Sequence, residues 1–180
     1  MEKMIIDNDT FFADVLQMLD EGKRVTIPVK GYSMLPFIRG GKDLVVLEKA
    51  GEDLRADDIV LFHLGPRAGG RYVMHRILSI DGDAVDIMGD GVPKNHEHVP
   101  RNQIYAKAVE ILRGGKHPVD PYAPGQLRLV QFWQWLLPLR RYILFIYRHL
   151  PWNRRWIKEN RTENKKNVGG EGFARPLTFE

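Results

Sequence analysis

Six short runs rich in Val, Ile and Leu lie between Gly22 and Gly114, each bounded by Gly, Pro or Asp: Val25–Val29, Asp43–Glu48, Asp58–His63, Tyr72–Ile80, Ala84–Met88 and Ile104–Leu112. Segments of this length and composition form strands rather than helices. Asp81-Gly82-Asp83 separates two of them and predicts a hairpin. Gly65–Gly70, with Pro66, reads as a loop tip. One amphipathic helix is expected before them over Thr10–Glu21. Its Phe12, Val15, Leu16 and Leu19 recur at helical spacing, and Gly22 ends it. The pattern predicts a mainly β protein, a twisted antiparallel β domain over residues 1–113 preceded by a short N-terminal helix.

Composition changes after that domain. Pro118, Pro121, Pro124 and Gly125 mark residues 114–126 as a linker. Residues 127–158 hold all four Trp and read as an amphipathic, basic-aromatic helical extension, which Pro138 and Pro151 divide into short helices. Residues 159–180 lack apolar periodicity and read as a loose tail. Residues 128–167 carry ten Lys or Arg against Glu159 and Glu163, so this part stands at +8 while the whole chain is +4. Such a stretch calls for an acidic partner surface, either anionic lipid or nucleic acid.

Several classes are excluded or disfavoured. The chain has no cysteine, which removes disulfides, iron–sulfur clusters, thiolate zinc sites and a cysteine nucleophile. Met1–Asp9 carries Glu2, Asp7 and Asp9, unlike a secretory leader. The longest strongly apolar uncharged stretch, Leu129–Leu139, has 11 residues, whereas a spanning helix needs about 20. A cytoplasmic or membrane-peripheral location is the expectation.

Three segments carry candidate chemistry. Ser33 lies in Gly31-Tyr32-Ser33-Met34-Leu35-Pro36, a loop after a strand in which Met34 and Leu35 can fix the turn. On its own, it fits either an exposed nucleophile or an ordinary turn residue. His75 lies mid-strand in Met74-His75-Arg76-Ile77, so His75 and Arg76 face opposite sides. It fits either a base for a serine hydroxyl or a half-buried strand histidine. Asp90, in Gly89-Asp90-Gly91, is the first candidate to orient that histidine, with Glu97 second and Asp83 third. His96-Glu97-His98 raises a metal reading, but two histidines at i and i+2 without a third ligand favour solvated loop residues. No cofactor is expected.

In this order and spacing the segments resemble the type I signal peptidase superfamily, whose fold is shared with LexA-type self-cleaving repressors. Ser33-Met34-Leu35-Pro36 matches the Ser-Met-x-Pro nucleophile box, and Asp58-Ile59-Val60-Leu61-Phe62 looks like the Gly-Asp-(Ile/Val)-Val-x-Phe strand. Met74-His75-Arg76-Ile77 with Gly82-Asp83 matches the box of the general base, and Gly89-Asp90-Gly91 looks like the start of the Gly-Asp-Asn box. The likeness covers about residues 25–112 and is nearest to small bacterial signal-peptidase-like proteins without an N-terminal anchor. The resemblance departs at four places. Common bacterial members have Lys where His75 stands, Gly91 replaces the box asparagine, the downstream family aspartate is replaced around His96–Glu97, and Gly31 stands where some relatives have an oxyanion-hole serine. Oxyanion stabilisation would then fall to the Ser33 amide and its neighbours.

The resemblance implies a serine endopeptidase that cleaves leader or precursor peptides after small residues, with Ser33, His75 and Asp90 as its catalytic set. The alternative is a catalytically inactive peptide-binding module on the same fold. For the extension there are two expectations. Residues 127–158 either lie on an anionic membrane surface or pack their apolar face on the β domain or a second copy. Nucleic acid is the less suitable partner, since Trp, Leu and Ile interleave the cations.

Overall fold

The computed structural model describes residues 8–65, 71–92 and 96–150. The tail at 159–180, the end of the extension at 151–158 and all of the expected loop tip except Gly65 lie outside these residues. The chain order is α1 (Asn8–Asp20), β1 (Val25–Pro28), β2 (Leu44–Lys49), β3 (Ile59–Leu64), β4 (Arg71–Asp81), β5 (Ala84–Met88), β6 (His96–Pro100), β7 (Ile104–Arg113), β8 (His117–Val119), α2 (Pro124–Trp135) and α3 (Leu137–His149).

Among the described residues the strands form one eight-stranded antiparallel sheet in the order β1-β2-β7-β3-β4-β5-β6, with β8 paired to β7. The long β7 makes this order possible. Its first residues, Ile104–Lys107, pair with β3, and its last three, Ile111–Arg113, pair with β8.

Local chemistry explains the boundaries. Helix α1 ends in a Schellman cap, with Lys23 N–H donating to the Met18 carbonyl and Gly22 N–H to that of Leu19, both at 3.0 Å. The cap requires a left-handed residue, and Gly22 supplies it at φ 78°. The β4–β5 hairpin closes at Asp81 opposite Ala84 through Gly82-Asp83, with Gly82 at φ 57°. Pro138 falls in the first turn of α3, where its missing N–H costs nothing, so the extension breaks into two helices as its prolines predict.

Alternation divides the strand residues between two apolar clusters. Ile59, Leu61 and Met74 join Phe11, Val15, Leu19, Leu35, Ile38 and Leu47 on the face covered by α1 and the loop before β2. Val60, Phe62 and Ile77 join Val85, Ile87, Val99 and Ile104 on the other face. In β4, therefore, Arg76 belongs to the first face with Met74, and His75 to the second with Ile77.

Two strands depart from the sequence reading. Residues 96–98 were expected in a solvated loop, yet they begin β6, paired along β5. Of the β6 residues only Val99 is buried, so the apolar alternation that reveals other strands is missing. The expected linker likewise contains β8. It is pinned by Tyr122, whose hydroxyl donates to the Ala108 carbonyl at 2.6 Å and accepts from Ile59 N–H at 3.2 Å. Burial holds that phenol well above its ordinary pKa. In the helical extension, Val130, Trp133 and Leu144 join the first cluster, so one face of α2 and α3 packs on the sheet domain. No helix of the described residues is long and apolar enough to cross a membrane.

Candidate active site

The loop carrying Ser33 joins β1 to β2. Its base is closed by Gly41 N–H donating to the Val29 carbonyl at 2.7 Å and by Asp43, whose side chain is fully buried. Asp43 accepts from the Arg39 and Gly114 amides, each at 2.9 Å, and pairs with the Arg39 guanidinium. Burial alone would raise its pKa, but these donors outweigh burial and hold it below the usual carboxylate value. The loop then crosses itself. A Cβ on Gly40 would stand 2.2 Å from the Gly31 carbonyl oxygen. Met34 and Leu35, 3% and 0% exposed, anchor the loop in the first cluster and leave Ser33 half-buried. As the sequence suggested, the two apolar neighbours fix the turn while the serine stays within reach of solvent.

His75 sits opposite Val60 in the β3–β4 pairing and is 5% exposed. Its Nδ1 lies 3.1 Å from Glu97 Oε2. Its Nε2 is buried and has no hydrogen-bond partner. With Glu97 on Nδ1, the favoured neutral tautomer carries its proton there and leaves the Nε2 lone pair free.

Gly89 lies against both segments. A methyl group there would come 2.6 Å from the Ser33 carbonyl oxygen and 2.9 Å from His75 Nε2. The serine loop and the open nitrogen of the histidine therefore converge on one glycine. Gly91 makes a second close approach. Its N–H donates to the Ser33 carbonyl at 2.6 Å, and a Cβ would stand 2.3 Å from the Tyr32 carbonyl oxygen. Together the two glycines clamp the serine loop against the end of β5. Gly89→Ala is expected to cost about 1–3 kcal/mol, because a backbone oxygen cannot yield as a side chain can. A thermal melt unchanged from wild type would refute the clamp.

Asp90, the first candidate for the histidine's acid, does something else. Its carboxylate takes a two-pronged bond from Arg76, at 3.0 Å from Nε and 2.8 Å from Nη2. Arg76 is 1% exposed, Asp90 is 3% exposed, and Arg76 also donates to the Asp57 carbonyl at 2.8 Å. Burial opposes the charge on Arg76, but Asp90 more than offsets it and keeps the guanidinium pKa above its ordinary value. The reason is strand parity. His75 and Arg76 point to opposite faces, and Asp90 reaches the face of Arg76. The carboxylate beside His75 is Glu97, the second candidate. It pairs with Ile87 across β5–β6, and Ile87 with Ile77 across β4–β5, so Glu97 shares the face of His75. Asp83, the third candidate, is exposed in the hairpin turn, and its carbonyl accepts from Arg101 N–H.

Sequence reasoning did not find the partner of Arg76 or the role of Trp133. Trp133 Nε1 donates to the Asp90 carbonyl at 2.8 Å, which ties α2 to the glycine clamp. No sequence signal links residues 43 positions apart. His96 and His98 both turn to Asp86, at 3.1 and 3.5 Å, away from Glu97. Among the described residues no group of three or more His, Cys, Asp or Glu is arranged to hold a metal ion.

No protein-family model matches the chain, and no curated protein matches it.

Proposed function

We propose that this chain is a serine endopeptidase in which Ser33 is the nucleophile, His75 the general base and then acid, and Glu97 the carboxylate that positions His75. The observation that carries this reading is the convergence of the Ser33 loop and the free His75 Nε2 on Gly89, with Nδ1 occupied by Glu97. In acylation, the Ser33 hydroxyl adds to the scissile carbonyl and its proton passes to Nε2. Collapse of the tetrahedral intermediate breaks the C–N bond, and the imidazolium returns the proton to the leaving amine. Water then repeats the sequence on the ester and frees Ser33. Glu97 holds the Nδ1 proton and stabilises the imidazolium. The Ser33 amide donates no hydrogen bond within the described residues, which leaves it available to the oxyanion.

The nucleophile, general-base and glycine boxes resemble those of signal peptidases, which supports extended leader or precursor segments with small residues before the cut as substrates. Strand β1 leads directly into the Ser33 loop and pairs only with β2 among the described residues, so its outer edge can accept an added strand. The test is incubation with a diverse peptide library, with products read by mass spectrometry. Cuts after small residues are expected.

A second reading, a peptide-binding module without catalysis, has one observation in its favour. Ser33 and His75 Nε2 are not hydrogen-bonded to each other. Peptide capture without cleavage across the library would select it. Apo catalytic pairs often lack this bond until substrate binds, so the geometry does not weigh against the peptidase.

Glu97→Gln separates the two readings further. An amide in place of the carboxylate cannot stabilise the imidazolium. Turnover should fall by roughly 10²- to 10⁴-fold with little change in KM. Steady-state kinetics that matched wild type would remove Glu97 from the mechanism.

A further inference from the structure

We propose that the outer face of α2 and α3 docks this chain onto an anionic lipid surface. The proposal is independent of the chemistry at Ser33.

The inner face of these helices is already used. Val130, Trp133 and Leu144 are buried, Ile143 and Tyr147 pack against the same cluster, and Arg140 is fully buried with its guanidinium over the Trp133 ring. A second set of large apolar side chains points the other way. Leu129, Phe132 and Trp135 on α2, and Leu139, Tyr142, Phe145 and Ile146 on α3, are between 52% and 75% exposed. With Leu137, they are all the exposed large hydrophobic residues among those described. Scattered exposed apolar groups are ordinary, but a patch confined to two successive helices marks an interaction surface.

Charge identifies the partner. No Asp or Glu occurs between Asp120 and Glu159, while this interval holds Arg128, Arg140, Arg141, Arg148, Arg154, Arg155 and Lys158. Arg128 and Arg141 are exposed beside the apolar set, and Arg141 lies 4.5 Å over the Tyr142 ring. A two-fold dimer through this face would bring the same cations together with no carboxylate to answer them. Nucleic acid would leave the phenyl, indole and aliphatic groups without a partner, since its interfaces are polar. A bilayer interface with anionic headgroups answers both, taking the apolar groups among the acyl chains and the guanidinium groups at the phosphates.

Helix length fixes the mode. At 12 and 13 residues, α2 and α3 are too short to span a bilayer, so they lie in its plane. The face also has a recess. Leu129 and Phe132 border a cleft of about 330 Å³ that Pro36, Phe37, Gln126, Trp133 and Arg113 complete. Its walls are mainly apolar, and its one guanidinium, Arg113, is paired with Asp43.

Vesicle flotation of the full chain tests the proposal. Wild type is expected to float with phosphatidylcholine vesicles containing about a third phosphatidylglycerol and to bind pure phosphatidylcholine at least about tenfold more weakly. The triple variant Phe132→Ser, Trp135→Ser, Phe145→Ser and the charge variant Arg128→Gln, Arg141→Gln should each lose about tenfold or more in affinity for the anionic vesicles. Thermal melts check that both fold, and the charge variant alone decides if the triple variant does not. Equal binding to neutral vesicles, absence of flotation, or a charge variant that binds like wild type would each overturn the proposal.

Discussion

Replacing Ser33 with alanine is expected to lower peptide cleavage by about 10⁴-fold or more, to the level of background. His75→Ala should do nearly the same, and the double variant should be hardly worse than either single one. This non-additivity separates a cooperating pair from two residues that merely support the fold, because groups acting in one proton transfer lose their value together. Stability separates them too. The Ser33 hydroxyl has no hydrogen bond among the described residues, so Ser33→Ala should shift stability by no more than about 0.5 kcal/mol. His75→Ala removes a buried ring and leaves Glu97 without its partner, and should cost about 1–3 kcal/mol. Full activity in Ser33→Ala would end the serine-peptidase reading. A double variant that multiplied the two single losses would argue against a shared step.

The sheet was legible where burial is one-sided or complete. The six apolar runs all became strands, and the Gly22 stop and the Gly82 hairpin lie where their backbone freedom is needed. β6 escaped because its charged residues face solvent or, at Glu97, a buried imidazole, so no apolar alternation marks it. The carboxylate beside His75, Glu97, ranked only second to Asp90 for a related reason. Parity correctly separated His75 from Arg76, but placing Asp90 and Glu97 required the register of β5 and β6. That register is a tertiary property. Composition also could not divide the apolar residues of the extension. Leu129 and Val130 are neighbours of like hydropathy, yet one is 55% exposed and the other 1%. Of the two expectations for residues 127–158, packing on the β domain holds for one face of the described helices, where Val130, Trp133 and Leu144 are buried.

Asp90→Ala is expected to be the most destabilising single change at the site, by about 3–5 kcal/mol, with a melting temperature lower by roughly 10 °C. The reason is what remains. Arg76 would keep its charge at 1% exposure with only the Asp57 carbonyl to satisfy it. Surface pairs such as Lys23–Glu21 and Lys49–Asp20 offer a contrast, because water replaces a lost partner. Replacing both members, as in Arg76→Met with Asp90→Leu, should restore much of the stability, since two apolar side chains leave no stranded charge. Activity should not return with it. The Asp90 peptide lies between the glycines that hold the Ser33 loop beside His75, and Trp133 donates to its carbonyl. A leucine there would fill the core without orienting that segment. Thermal melts and cleavage rates on the same samples read the two effects separately. An Asp90→Ala protein that melts like wild type would mean that Arg76 finds another counter-charge, and the buried pair would lose its place as the anchor of the site.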